Sequence, residues 1–234
     1  MKLNALQSAI VNHQLDGHQH DDYTTNVRLG KHGTLQEFAV LANVLRPERM
    51  TSRHFAEYLA GNSWLYRDKH VLDMGSGSGV LGVVMARFGA RSVTCADVST
   101  DAVNNTRLNM ERLAHDTETH VVQSDLFQNI ADTRFETIVF NHPFFATKPI
   151  DYIPVSRAMF DEGNLLLRFL EQASSFLEPC GQIIMPFLHI AGDTNDPGIH
   201  AQRFGYELNL LERSLIKTEF QCGEASIYLL ANPC

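Results

Sequence analysis

The sequence predicts an α/β fold: a doubly wound, mainly parallel sheet of seven strands, finished at one edge by an antiparallel hairpin. Three observations predict it. Short apolar, β-branched segments alternate with helical patterns from His70 to Phe187. Those segments are apolar at successive positions, as strands covered by helices on both faces must be. After Glu207 the alternation stops, and two extended segments, 207–216 and 224–231, follow each other across a short charged, glycine-containing stretch, which is the pattern of a hairpin.

Residues 1–25 are polar and carry His13, His18, His20, Asp21 and Asp22. A metal site there would need a rigid scaffold that this composition does not promise, so none is assigned. From Asn26 to Leu45 two apolar stretches flank Gly30-Lys31-His32-Gly33, which reads as a turn between strands. The second stretch, 35–45, fits a helix equally well until Arg46-Pro47 ends it. Phe55, Tyr58 and Leu59 then recur at helical spacing after a Thr or Ser cap. Strands are expected at 70–74, 92–96, 120–123, 137–140 and 182–187, and helices at 80–88, 100–113 and 164–177.

A chain of 234 residues, 44% hydrophobic and 20% charged, suits one full-sized soluble α/β domain. No apolar run reaches the roughly 18 residues of a membrane span, and no basic-then-apolar leader opens the chain. The expected location is the cytoplasm, without membrane contact. Cys95, Cys180, Cys222 and Cys234 lie far apart with no C-x-x-C pair. They read as free thiols, not as a zinc site. A net charge of −8 argues against a large nucleic-acid footprint. Arg46, Arg49, Arg53, Arg67 and Lys69 form either a local basic patch or an ordinary solvated face.

In an open parallel sheet, ligands bind beyond the carboxyl ends of the strands, so the residues ending each apolar run carry the functional argument. The first run ends in Asp73-Met74-Gly75-Ser76-Gly77-Ser78-Gly79. Glycines at 75, 77 and 79 permit positive φ and remove the Cβ atoms that would keep a ligand from the backbone. A plain strand-to-helix turn is the alternative. No lysine follows in the helix, which excludes a P-loop, and Val80 stands where the dinucleotide fingerprint needs its third glycine. The second run ends at Asp97-Val98, where a carboxylate can accept from two ribose hydroxyls; Ser99 or Thr100 can cap the next helix in its place. The third ends at Asp125-Leu126, suited to an adenine amine and its ring face. The fourth ends at Asn141-His142-Pro143-Phe144-Phe145.

The acid-x-Gly-x-Gly-x-Gly run at 73–79 resembles the first motif of the class I S-adenosylmethionine-dependent methyltransferases. Asn141 to Phe144 resembles the Asn-Pro-Pro-Tyr/Phe motif of the branch that contains release-factor glutamine, ribosomal RNA guanine and adenine amino methyltransferases. The likeness spans residues 45–234 or so and implies a Rossmann-like methyltransferase fold, with 46–234 as catalytic domain and 1–45 as a short, partly flexible extension. It implies S-adenosylmethionine as cofactor, bound by Asp73, Gly75, Ser76, Gly77, Gly79, Asp97, Val98, Asp125, Leu126 and Asn141. The implied acceptor is a planar nitrogen, a protein glutamine amide or a nucleobase amine, in a protein, an RNA or a small molecule. Such a nitrogen has a delocalised lone pair, which hydrogen bonds from its N–H groups to the Asn141 side chain and the His142 carbonyl would localise. Pro143 fixes that loop and Phe144 offers a stacking face. These four, Asn141, His142, Pro143 and Phe144, are the expected catalytic residues.

His142 stands where the branch has proline, so the loop loses one φ restraint and gains an imidazole, either as proton acceptor or as packing. Leu45 to Thr51 resembles the arginine-proline segment that the branch places beside the cofactor, which nominates Pro47 and Thr51. Members acting on release factors carry a helical recognition domain ahead of the catalytic one, for which 45 residues are too few; the irregular stretch 146–163, with Lys148, Tyr152, Arg157 and Phe160, is the expected lid or docking loop. A nicotinamide-dependent oxidoreductase and a non-catalytic, methyltransferase-like binding subunit are the rival readings.

Overall fold

A computed structural model describes residues 3–15, 21–217 and 222–232. Seven strands form one sheet: β3 (His70–Met74), β4 (Ser92–Asp97), β5 (Glu118–Gln123), β6 (Phe135–Phe140), β7 (Leu177–Leu188), β8 (Glu207–Lys217) and β9 (Cys222–Ala231). They lie in the order β5-β4-β3-β6-β7-β9-β8. The pairs from β5 to β7 are parallel, and β9 pairs antiparallel with both β7 and β8. The expected doubly wound sheet with an antiparallel hairpin is therefore present. Its last strand in sequence lies inside the sheet and β8 forms the edge.

Successive residues of each central strand enter opposite cores, because side chains alternate across a sheet. Leu72, Ile138 and Ile183 join the cluster under α5 (Asn164–Ala173); Val71, Val139 and Ile184 join the one under α2 (Met50–Gly61) and α3 (Val80–Arg87). Both faces are covered, which is why these strands read as continuous apolar runs.

Residues 34–40 form a strand, β2 (Thr34–Val40), paired antiparallel with β1 (Tyr23–Arg28) around the glycine-flanked turn. The helical alternative for 35–45 fails because this segment pairs its backbone with β1. The hairpin is fastened to α4 (Thr100–Leu113) by two fully buried asparagines. Asn105 and Asn109 each donate from Nδ2 to the Ala39 carbonyl, at 2.9 and 2.8 Å, and accept from the N–H groups of Leu41 and Ala39. Ahead of the hairpin, α1 (Ala5–Leu15) places Ile10 and Val11 in the α5-side core. His18 and His20 lie outside the described residues.

Two sequence expectations need correction. The helix expected to 177 ends at Ala173, and β7 begins at Leu177. The four cysteines are not all free: Cys180 is disulfide-bonded, while Cys95 is a buried thiol. Among the described residues no helix is long and apolar enough to cross a membrane.

Candidate active site

The glycine turn between β3 and α3 is bonded to the end of β4 and, once, to itself. Gly75, Gly77 and Gly79 all have positive φ, at 64°, 56° and 83°. A Cβ on Gly75 would stand 2.9 Å from the Phe140 ring. Ser76 N–H donates to the Ala96 carbonyl at 3.0 Å, Gly77 N–H to Asp97 Oδ2 at 2.9 Å and Gly79 N–H to the Ser76 carbonyl at 2.8 Å. These three N–H groups are thus committed inside the protein, and the turn offers a ligand shape more than donors.

A cavity of about 400 Å³ opens beside the turn, within the size range of small-molecule sites. Gly75, Ser76, Gly77, Asp97, Val98, Asp125, Leu126, Asn141 and Pro143 all line it, so four strand ends converge there as the sequence suggests. Asp97 is mostly enclosed. Burial raises its pKa against the lowering effect of the backbone N–H groups of Ser99, Gly77 and Val98. Its Oδ1 accepts from Ser99 N–H at 2.9 Å, and Ser99 itself caps α4. Each oxygen of Asp97 keeps lone-pair capacity toward the cavity. Asp125 is held by Arg168 of α5, whose Nη2 lies 2.8 Å from Oδ2.

Two expected residues do not line the cavity. Gly79 lies behind the turn as the cap of α3, where a Cβ would meet the Thr106 backbone at 3.0 Å. Asp73 shares the face of Val71 by the two-residue period, so its carboxylate points under α3. There Oδ2 accepts from Gly82 N–H at 2.9 Å, and Oδ1 has no partner among the described residues. Burial, with a smaller contribution from Asp97, pushes Asp73 up to about 8. Its geometry is that of a turn anchor, unlike the ligand contact expected.

A smaller cavity of about 40 Å³ adjoins the first, lined by Ile10, Arg46, Arg49, Thr51 and Phe144 among others. Leu45, Ser52, Asn141 and Ala158 line both. Asn141 donates from Nδ2 to Ser52 Oγ at 3.2 Å, so its Oδ1 is the atom left to accept. Ser52, one residue from the nominated Thr51, is the partner the sequence did not reveal. Pro47 is buried and lines neither cavity.

The His142 imidazole is fully buried, with Nε2 2.8 Å from the Asn195 carbonyl. Only a protonated Nε2 can make that bond. Burial pushes the ring down to about 4, against the carbonyls of Asn195 and Phe140. Phe144 meets His142 and Phe187 edge-on, with centroids 5.2 and 5.5 Å apart. The segment 146–163 leads from the Asn141 loop to α5 and lines both cavities. It is stapled to the Asn141 loop by a parallel bridge from Phe145 to Phe160 and by Phe145 N–H donating to the Met159 carbonyl at 3.0 Å.

Residues 50–189 match the family model described as methyltransferase small domain. A ribosomal protein uL3 glutamine methyltransferase of Xylella fastidiosa is 33% identical over 142 residues, covering 56% of this chain and 43% of that protein. A release factor glutamine methyltransferase of Rhodopirellula baltica is 30% identical over 127 residues, covering 49% and 43%. The chain thus spans under half the length of these curated relatives. Among solved structures, a T. thermophilus 16S rRNA N2 guanosine methyltransferase in complex with AdoMet and guanosine superposes with a TM-score of 0.64 at 20% identity, covering 91% of this chain and 51% of that one. With the glycine turn, the converging strand ends and the parallel sheet inside the matched span, the chain belongs to the methyltransferase small domain family.

Proposed function

We propose that the protein transfers a methyl group from S-adenosylmethionine to the amide nitrogen of a protein glutamine. The cofactor fits the larger cavity by chemistry as well as size: Asp97 faces it as acceptor for ribose hydroxyls, Asp125 for the adenine amine, and Leu126 and Val98 supply apolar surface. Bound there, the cofactor supplies an electrophilic methyl group on sulfur.

The observation that carries the reading is the position of Asn141, whose side chain lines both cavities and whose Nδ2 is already committed to Ser52. Its Oδ1 accepts one N–H of the acceptor, and the His142 carbonyl accepts the other. Charge then localises on nitrogen, and the loop aims it at the methyl group. As the nitrogen–carbon bond formed, the carbon–sulfur bond would break to leave S-adenosylhomocysteine, and one N–H proton would pass to solvent. Positioning, not strong base catalysis, is the main contribution. The His142 ring is assigned no role as base, because it is fully buried, burial lowers its pKa to about 4, and its Nε2–H is spent on the Asn195 carbonyl. Phe144 forms an apolar wall of the acceptor cavity, packed edge-on against His142 and Phe187.

The smaller cavity opens beside Asn141 between Ile10, Thr51 and Phe144, and the reading puts the acceptor group there. Support for glutamine comes from the two curated relatives whose names specify glutamine methylation. In this reading residues 46–234 are the catalytic domain, and 1–45 form one wall of the acceptor site through Ile10.

The test is incubation with tritiated S-adenosylmethionine and fractionated lysate, followed by protease or nuclease digestion. Label released by protease and recovered as methylglutamine supports the proposal. Label released by nuclease assigns the acceptor to RNA and overturns the glutamine reading.

A further inference from the structure

Asp97, Asp125 and Asp151 place three carboxylates on the wall of the larger cavity, and Arg157 is the one cation among the described residues lining it. Each carboxylate already has company. Asp97 holds the N–H groups of Gly77 and Ser99, Asp125 pairs with Arg168 and Asp151 lies 3.7 Å from Lys148 Nζ. Arg157 differs, since its guanidinium has no hydrogen-bond or ion-pair partner among the described residues.

The segment that carries Arg157 is well braced. It sits in the short 3-10 turn Pro154–Ala158, beside fully buried Ser156. Ser156 Oγ accepts from Ile150 N–H at 2.8 Å and donates to the Ile150 carbonyl at 3.2 Å. The turn continues into the Phe145–Phe160 bridge, so the backbone that carries Arg157 is anchored to the loop that follows Asn141. Its neighbour Ala158 lines both cavities, whereas Val98, Asp125 and Leu126 line only the larger one. Arg157 itself lines the larger cavity, on a turn whose next residue reaches the place where the two cavities meet.

On the cofactor reading above, on which this inference rests, the methyl-bearing sulfur must lie where the cavities meet. The amino-acid arm leaves that sulfur from the same end. The arm carries the cofactor's only anionic group, a carboxylate, into a cavity walled by aspartates. The glycine turn cannot receive it through Ser76, Gly77 or Gly79, whose N–H groups are committed internally. We infer that Arg157 receives the cofactor's carboxylate, so that segment 146–163 is a working wall of the cofactor site and not only a docking loop. A guanidinium suits the task because its planar fork meets a carboxylate with two parallel hydrogen bonds.

Isothermal titration of the full chain with three ligands tests this: S-adenosylmethionine, its decarboxylated form, which lacks only the carboxylate, and 5′-methylthioadenosine, which lacks the arm. Arg157→Met is expected to weaken S-adenosylmethionine about tenfold or more and to leave the other two within about threefold, with Arg157→Lys between. Asp97→Ala is expected to weaken all three alike. An Arg157→Met protein that binds S-adenosylmethionine as the wild type does, or that loses all three ligands equally, overturns the inference while leaving the cofactor reading intact. A wild-type protein that binds none of the three overturns both.

Discussion

The His142 ring and the Asn195 backbone hold each other across the base of the Asn141 loop. Nε2 donates to the Asn195 carbonyl at 2.8 Å, and Asn195 Nδ2 returns hydrogen bonds to the carbonyls of Pro143, at 3.4 Å, and Asp161, at 3.1 Å. The loop thus gains from tertiary contacts the restraint that a second proline would have given through φ.

Burial of that ring favours its neutral form more than the two carbonyls favour the charged one, so it makes stability depend on pH. The folded-state value near 4 lies below the ordinary 6.5. Between those values the unfolded chain takes up a proton that the folded chain refuses, so stability is complete above about 6.5 and declines as pH falls toward 4. The loss is on the order of 3 kcal/mol. Urea unfolding of wild type and His142→Gln at several pH values between 4 and 7.5 measures it, because the wild-type-minus-variant difference cancels the carboxylates. A difference independent of pH contradicts the assignment.

Asp73 has the opposite sign. Its folded-state value, near 8, is raised above the ordinary 3.8, so its stability is complete below 3.8 and is lost as pH climbs toward 8. Asp73→Asn keeps an oxygen for Gly82 N–H and cannot ionise. We expect the variant to gain on the wild type as pH rises from 5 to 9 in thermal unfolding. Its cofactor affinity should stay within a few fold, as befits a residue outside the cavity.

Asn141→Ala should leave cofactor affinity within a few fold and lower methyl transfer at least about tenfold, because the loss falls on orientation of the acceptor. Ser52→Ala, which removes the partner of Nδ2 and keeps the acceptor atom, should give a smaller loss of the same kind. Single-turnover rates beside equilibrium titrations separate the two effects, and unchanged turnover in Asn141→Ala would remove that residue from the mechanism.

The Arg168–Asp125 pair is about two-fifths exposed on both sides, so its direct worth to folding is small, about 0 to 1 kcal/mol. Its importance lies in aiming Asp125. Arg168→Met should shift the melting temperature little and weaken S-adenosylmethionine several fold, with less effect on an analogue lacking the adenine amine. Equal weakening of both ligands would place Asp125 elsewhere in the site.

The parallel strands were legible because burial on both faces writes a continuous apolar run, and strand ends then point to Asp97, Asp125 and Asn141. Asp73 lies outside the larger cavity for a reason also present in the sequence, since period-two alternation sets it on the face of Val71. The stretch 35–45 was ambiguous because a short apolar run satisfies both helix and strand. Ser52, Arg168 and Asn195 left no local signal. They reach Asn141, Asp125 and His142 across 89, 43 and 53 residues of chain, and only the folded chain brings them together.

The glycine turn, bonded within the protein, has a thermodynamic consequence. With Ser76, Gly77 and Gly79 each bonded inside the protein, the cradle is ordered before anything enters it, and little backbone entropy remains to be lost on binding. These amides should exchange with deuterium slowly in the free protein and gain little further protection when ligand arrives, which makes this turn a rigid receptor in a site whose other walls are side chains.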